Sequence, residues 1–128
     1  MIAGHTTDPT STAAVVVVHR TLPGRRDEVR ALWERHMAPA VQGNPGHLAY
    51  CYGLDVDDPD VITAFQLYRG ADDASAFLDH PAYAVYERAV APLLTGPPQV
   101  RRLTPIWIKD STRPHPRSED SAPPETSR

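Results

Sequence analysis

The sequence predicts an α+β domain of ferredoxin-like type, with a β-α-β-β-α-β order and a four-stranded antiparallel sheet carrying its helices on one face. Three observations predict it. Four runs rich in β-branched or alternating apolar residues are spread between residues 14 and 108, each of strand length. Two stretches between them repeat apolar residues at three- and four-residue steps, as amphipathic helices do. Clusters of Gly, Pro, Asn and Asp separate all six segments, where the chain needs turns.

The elements follow in order. Ala14 to Arg20 is a valine-rich strand, broken by Thr21-Leu22-Pro23-Gly24. From Arg25 to about Val41, the residues Val29, Leu32, Trp33, Met37 and Ala40 form an apolar stripe, opposite Arg25, Arg26, Glu28, Arg30 and Arg35. This is an amphipathic helix with a kink before Pro39. Asn44-Pro45-Gly46 turns the chain into a second strand, His47 to Asp55, with Leu48, Tyr50, Tyr52 and Leu54 alternating onto one side. The acidic segment Asp55 to Asp60 is a hairpin loop to a third strand, Val61 to Arg69. A second helical stretch comprises Ala71 to Leu78 and Pro81 to Leu94, interrupted at His80-Pro81 because proline lacks an N–H. Gly96-Pro97-Pro98 leads into a fourth strand, Val100 to Ile108.

Both helical stretches on one sheet face leave the other bare, and a large exposed apolar patch marks an association surface. Closed two-fold pairing is its commonest solution, so a homodimer is expected. The folded domain is expected over residues 13–110. Residues 1–12 read as a flexible N-terminal arm, and residues 111–128, rich in Pro, Ser and charge, as a disordered tail.

Composition narrows the function. A formal net charge of -3 supplies no basic field for nucleic acid or anionic lipid. The N-terminus lacks a secretory pattern and no apolar run is long enough to span a bilayer, which points to the cytoplasm. Cys51 is the single cysteine, so no intrachain disulfide or cysteine-based zinc site is expected. The loop carboxylates Asp55, Asp57, Asp58 and Asp60 lack the glycine and distal glutamate of a calcium loop, and His36 and His47 have no patterned third ligand. No metal is expected. Glycine-rich phosphate loops, serine nucleophile elbows and Cys-His pairings are likewise missing from the sequence.

The segment Leu67-Tyr68-Arg69-Gly70-Ala71-Asp72-Asp73-Ala74-Ser75-Ala76-Phe77-Leu78-Asp79-His80-Pro81 resembles the antibiotic biosynthesis monooxygenase (ABM) superfamily of dimeric α/β-barrel proteins. Leu22-Pro23-Gly24 after the first strand, Asn44-Pro45-Gly46 after the first helix and the closing Arg102-Leu103-Thr104-Pro105 agree with it. The resemblance covers about Ala14 to Trp107. It implies a homodimer with facing sheets and a pocket in each subunit between sheet and helices. It also implies a cofactor-independent monooxygenase, using no flavin, haem or metal, that oxidises a quinol or anthrone-like aromatic polyketide with O2. Two alternatives share the fold: a non-catalytic dimeric ligand-binding or accessory protein, and a polyketide cyclase or isomerase.

Several positions depart from the family's pattern. Tyr68 stands where a Trp often ends the third strand, while Phe77 and Ala82 stand where two family histidines are commonly found. Val17 falls near the first-strand Asn of haem-degrading members, which disfavours haem degradation.

Cofactor-free oxygenation needs a base to make a phenolate or enolate, because the anion can give one electron to dioxygen where the neutral form does not. Donors must then hold the anion away from water. His19 shares a strand face with Val15 and Val17, which the resemblance turns toward the pocket. It is a candidate base, the alternative being a strand-end surface position. His80 is a second candidate, weighed against capping the helix that Pro81 begins. Tyr68 shares a face with Gln66, Ala64 and Ile62, a plausible lining for a planar aromatic or, equally, core packing. Tyr50 and Tyr52 share one side of their strand, which could face pocket or dimer partner. Tyr83 and Tyr86, three apart on a helix, are neighbours more often found in a core than a site. The candidate set is thus His19, His80 and Tyr68 for catalysis, with Val17, Tyr50, Tyr52, Gln66 and Tyr86 for substrate binding.

Overall fold

The computed structural model describes residues 8–109. Its four strands are β1 (Ala13–Arg20), β2 (His47–Leu54), β3 (Val61–Tyr68) and β4 (Gln99–Leu103). They form one sheet in the order β2-β3-β1-β4, with all neighbours antiparallel. The helices are α1 (Arg26–His36), α2 (Ala38–Gln42), α3 (Ala71–Leu78) and α4 (Pro81–Val90). This is the expected ferredoxin-like β-α-β-β-α-β arrangement, with β1 central because both β3 and β4 pair with it.

The core lies between the helices and one sheet face. Val15, Ile62 and Tyr68 from the sheet meet Val29 and Met37 from the first helical segment, Phe77 from α3, and Tyr86 and Val90 from α4. Val29 is fully buried, as its place in the apolar stripe requires. The acidic residues Asp27 and Glu28 occupy the first turn of α1 and Arg35 and His36 its last, each matched to the helix dipole. On the sheet's other face, Phe65 is 42% exposed and Cys51 beside it is also exposed. That open apolar face agrees with the sequence pattern.

The turns follow their chemistry. Gly24 takes a left-handed φ of 78°, which glycine adopts without a Cβ clash, and its N–H donates to Asp60 Oδ1. The acidic hairpin is tied down by Arg26, whose guanidinium donates to the carbonyls of Asp55, Asp58 and Val61. Asp58 also pairs with Arg20 at 2.9 Å.

Four details differ from the sequence-based expectation. The first helical stretch is two helices, not one kinked at Pro39: α1 ends at His36 and Pro39 sits in the first turn of α2, where its missing N–H has no partner to lose. The second stretch is α3 and α4, broken at His80 as expected, but α4 stops at Val90 and Ala91–Leu93 is a 3-10 turn ahead of Leu94. Strand β4 ends at Leu103, not Ile108: its partner β1 is paired only as far as Ala14, opposite Leu103, and Pro105 cannot donate to a ladder. Ile106 and Trp107 are consequently outside the sheet, Trp107 being 77% exposed. Finally, an irregularity between His47 and Ala49 shifts the β2 register. His47 therefore shares the core-facing side with Tyr50 and Tyr52, while Leu48 turns outward and is exposed.

Residues 8–12, within the segment read as an arm, form a turn. Asp8 caps Pro9–Ser11 by accepting from the Thr10 N–H, and Thr12 is buried. The rest of the arm, and the tail expected over 111–128, lie outside the described residues.

Candidate active site

The strand registers put the site together row by row. On the helix-covered face, Tyr50, Gln66, Val15 and Arg102 form one lateral row across β2, β3, β1 and β4. Tyr52, Ala64, Val17 and Val100 form the next, and Leu54, Ile62 and His19 the next. Small side chains at positions 64 and 17 leave space above the middle of the sheet, and large aromatics wall it in. The result is a cavity of about 350 Å³ between sheet and helices, at the low end of the roughly 300–1,000 Å³ typical of small-molecule sites.

All five tyrosines of the chain line this cavity. Trp33 from α1 stacks on Tyr52 with ring centroids 4.1 Å apart, and its indole N–H donates to the Tyr50 hydroxyl. The Tyr68 hydroxyl donates to Gln66 Oε1, and both residues are over nine-tenths buried. His47 packs its ring against Tyr68 at 4.4 Å and edge-on to Phe77, and Asn44 bonds its Nδ1. These contacts hold the aromatic walls in fixed orientations, a form of preorganisation.

His19 is the one imidazole among the described residues that line the cavity. It is 8% exposed and Tyr86 3%, and His19 Nε2 lies 3.0 Å from the Tyr86 hydroxyl. Its other ring nitrogen, Nδ1, is buried without a hydrogen-bond partner among the described residues. Burial holds the His19 pKa below the usual 6.5, because a charged ring would lose hydration. At neutral pH the ring is therefore neutral and can accept a proton. The phenols respond oppositely. Burial pushes Tyr50 up to about 12, and burial together with neighbouring phenols raises Tyr52, Tyr68 and Tyr86. Each stays protonated and can donate a hydrogen bond. Tyr52 alone among them has a buried hydroxyl with no partner among the described residues.

A second cavity, of about 370 Å³, adjoins the first. His19, Tyr83 and Tyr86 line both, so the His19–Tyr86 pair forms a partition between them. Val90, Leu94, Pro97 and Pro98 make the far walls, with Glu87 beside them.

The structure brings seven of the sequence-selected residues together: His19, Val17, Tyr50, Tyr52, Gln66, Tyr68 and Tyr86 all face the first cavity. His80 is not with them. Its side chain is exposed and accepts from the Ala82 N–H at 3.0 Å, the helix-capping arrangement that an extended residue before Pro81 permits. Sequence reasoning left out Trp33, Met37, Tyr83 and Arg102, which also line the cavity. Trp33 and Met37 sit in an apolar stripe that a helix uses equally for core and cavity, so periodicity carried no distinguishing signal. Arg102 would have been found by extending the β1 face across to β4.

Among the described residues, no three His, Cys, Asp or Glu side chains come together as a metal-binding group, and no helix is long and apolar enough to cross a membrane.

Comparison with known proteins places these features in a family context. The family model for antibiotic biosynthesis monooxygenase matches residues 12–89. No functionally curated protein matches the chain. Among solved structures, Rv0793 from Mycobacterium tuberculosis is similar at 26% identity and a TM-score of 0.70, covering 78% of this chain and 100% of its own. The protein NE2512 of Nitrosomonas europaea aligns at 18% identity and a TM-score of 0.68, over 78% of this chain and 94% of its own. A variant of SnoaB, a cofactor-independent oxygenase from Streptomyces nogalater, aligns at 15% identity and a TM-score of 0.66, over 78% and 98% of the two chains. At such identities the last two likenesses speak for the fold alone.

Proposed function

The chain belongs to the antibiotic biosynthesis monooxygenase family, and from that premise we propose that it is a cytoplasmic, cofactor-independent monooxygenase acting on a quinol or anthrone-like aromatic with O2. The observation that carries this reading is His19. It is a buried, neutral imidazole whose Nδ1 has no hydrogen-bond partner among the described residues, set in a cavity walled by aromatic rings.

An anthrone bound against those walls would lie parallel to the rings, with its acidic CH2 or phenol toward His19. The imidazole removes a proton and leaves a delocalised anion, with Tyr68, Tyr50 and Gln66 as candidate partners for its oxygen. That anion gives one electron to dioxygen, and the radical pair forms a carbon–oxygen bond. The proton held by His19 returns to the peroxide, which loses water: CH2 plus O2 becomes C=O plus H2O. Tyr86 keeps the His19 ring in position through Nε2. No protein-bound redox group enters this sequence, since the substrate supplies every electron.

Oxygen consumption and quinone absorbance, followed with an anthrone and a hydroquinone against the autoxidation rate, test the proposal. Acceleration that is lost in His19→Ala and reduced in Tyr68→Phe is expected. Product formed without oxygen uptake would replace the reading with a cyclase or isomerase, and tight binding without turnover would replace it with a ligand-binding protein.

We further propose that the open sheet face, carrying Phe65 and Cys51, pairs with a second copy to form a homodimer. The exposed apolar side chains of that face support this, and a monomer in sedimentation would refute it.

A further inference from the structure

The polar groups of the main cavity are unevenly placed. Among the described residues that line it, Arg102 is the only one with a permanent charge and none is a carboxylate. Arg102 stands on β4 opposite Val15, which is opposite Gln66, so it shares the cavity-facing side of the sheet with them. Among the described residues it makes no salt bridge: the three ion pairs involve Arg20, Arg25 and Arg30. Hydroxyls gather at the same end. Thr104 follows just past the end of β4, and the Ala14–Leu103 pairing sets Thr12 near it. His19 lies four residues along β1 from the Arg102 row, roughly 13 Å at about 3.3 Å per residue.

The cavity therefore has an uncharged end at His19 and a cationic, hydroxyl-rich end at Arg102, with aromatic rings along its length. From this polarity we infer that Arg102 is a specificity-determining residue, and that the aromatic ligand carries a carboxylate on the ring remote from His19. A guanidinium presents paired N–H donors that match a carboxylate's two oxygens, and no acidic side chain among the described lining residues competes for that position. The spacing suits a molecule of about three fused rings. This names the substrate class within the reading of the cavity as an aromatic site, and it rests on that reading.

Binding of anthraquinone-2-carboxylic acid and anthraquinone-2-carboxamide to the full chain tests it. Neither probe has a CH2 to oxidise, so binding is read separately from turnover. At low salt the acid is expected to bind about tenfold more tightly than the amide, and the preference should shrink as salt screens the exposed Arg102. In Arg102→Gln the two probes should bind about equally, with part of the preference restored in Arg102→Lys. Equal affinities in the native protein, a preference insensitive to salt, or one that survives Arg102→Gln would overturn the inference. Anthrone oxidation by the native protein without any acid preference would refute this inference alone; an acid preference without oxidation would refute the oxygenase reading alone.

Discussion

Replacing Tyr86 by Phe removes a single oxygen atom and tests whether the buried His19–Tyr86 pair is a structural unit. The native hydrogen bond is 3.0 Å long, both residues are more than nine-tenths buried, and His19 Nδ1 already lacks a partner among the described residues. Tyr86→Phe would leave both ring nitrogens unpaired in a site that water reaches poorly. An orphaned buried polar group costs about 1–3 kcal/mol, and a domain of roughly 100 residues loses about 4–8 °C of Tm per kcal/mol. His19→Leu, by contrast, orphans the phenol, while the double variant His19→Leu/Tyr86→Phe removes both polar partners together. The double variant should thus be less destabilised than the sum of the singles, with a coupling of about 1 kcal/mol. Urea denaturation of the four proteins measures this. Single effects that add to within about 0.3 kcal/mol would show that the two groups do not depend on each other.

Two other predictions concern the same walls. His19 and His47 are both held below the ordinary histidine pKa by burial. Below about pH 6.5 the unfolded chain therefore binds protons that the native one does not, and stability rises with pH through this window. The Tm should fall as pH drops from about 7.5 to about 5.5, and less so in His19→Leu or His47→Leu; a flat profile would contradict the burial of both rings as neutral groups. Tyr52→Phe deletes a buried hydroxyl that has no partner among the described residues and keeps the ring stacked on Trp33, so it should be neutral or stabilising by up to about 1 kcal/mol. A clear loss of stability in a thermal melt would mean the hydroxyl is satisfied.

The fold could be read from the sequence because its signals are local. Valine runs, the Leu22-Pro23-Gly24 and Asn44-Pro45-Gly46 turns and the stop at His80-Pro81 each act within a few residues. What escaped depends on partners distant in the chain. The end of β4 is set by where β1 stops pairing, which the apolar sequence Leu103 to Ile108 does not reveal, and the shift at His47–Ala49 is visible only against β3. The candidate site divides in the same way. Strand alternation puts Gln66 and Tyr68 on one face of β3 and His19 on one face of β1 with Val15 and Val17, and the family resemblance turned that β1 face toward the pocket. Which way Tyr50 and Tyr52 point remained open in the sequence, since both faces of β2 have a use, and the register with Gln66 and Ala64 settles it. Trp33 and Arg102 complete the cavity from elements whose own patterns say only helix core and edge strand.

In the proposed mechanism His19 acts as a base toward a bound aromatic that then reacts with oxygen. Measuring oxygen uptake with an anthrone across pH tests it most directly. Enzyme-dependent uptake is expected, lost in His19→Ala, and its kcat/KM in the native protein should fall on the acid side with a midpoint below about 6.5, because burial depresses the His19 pKa. Uptake that His19→Ala leaves unchanged would contradict it.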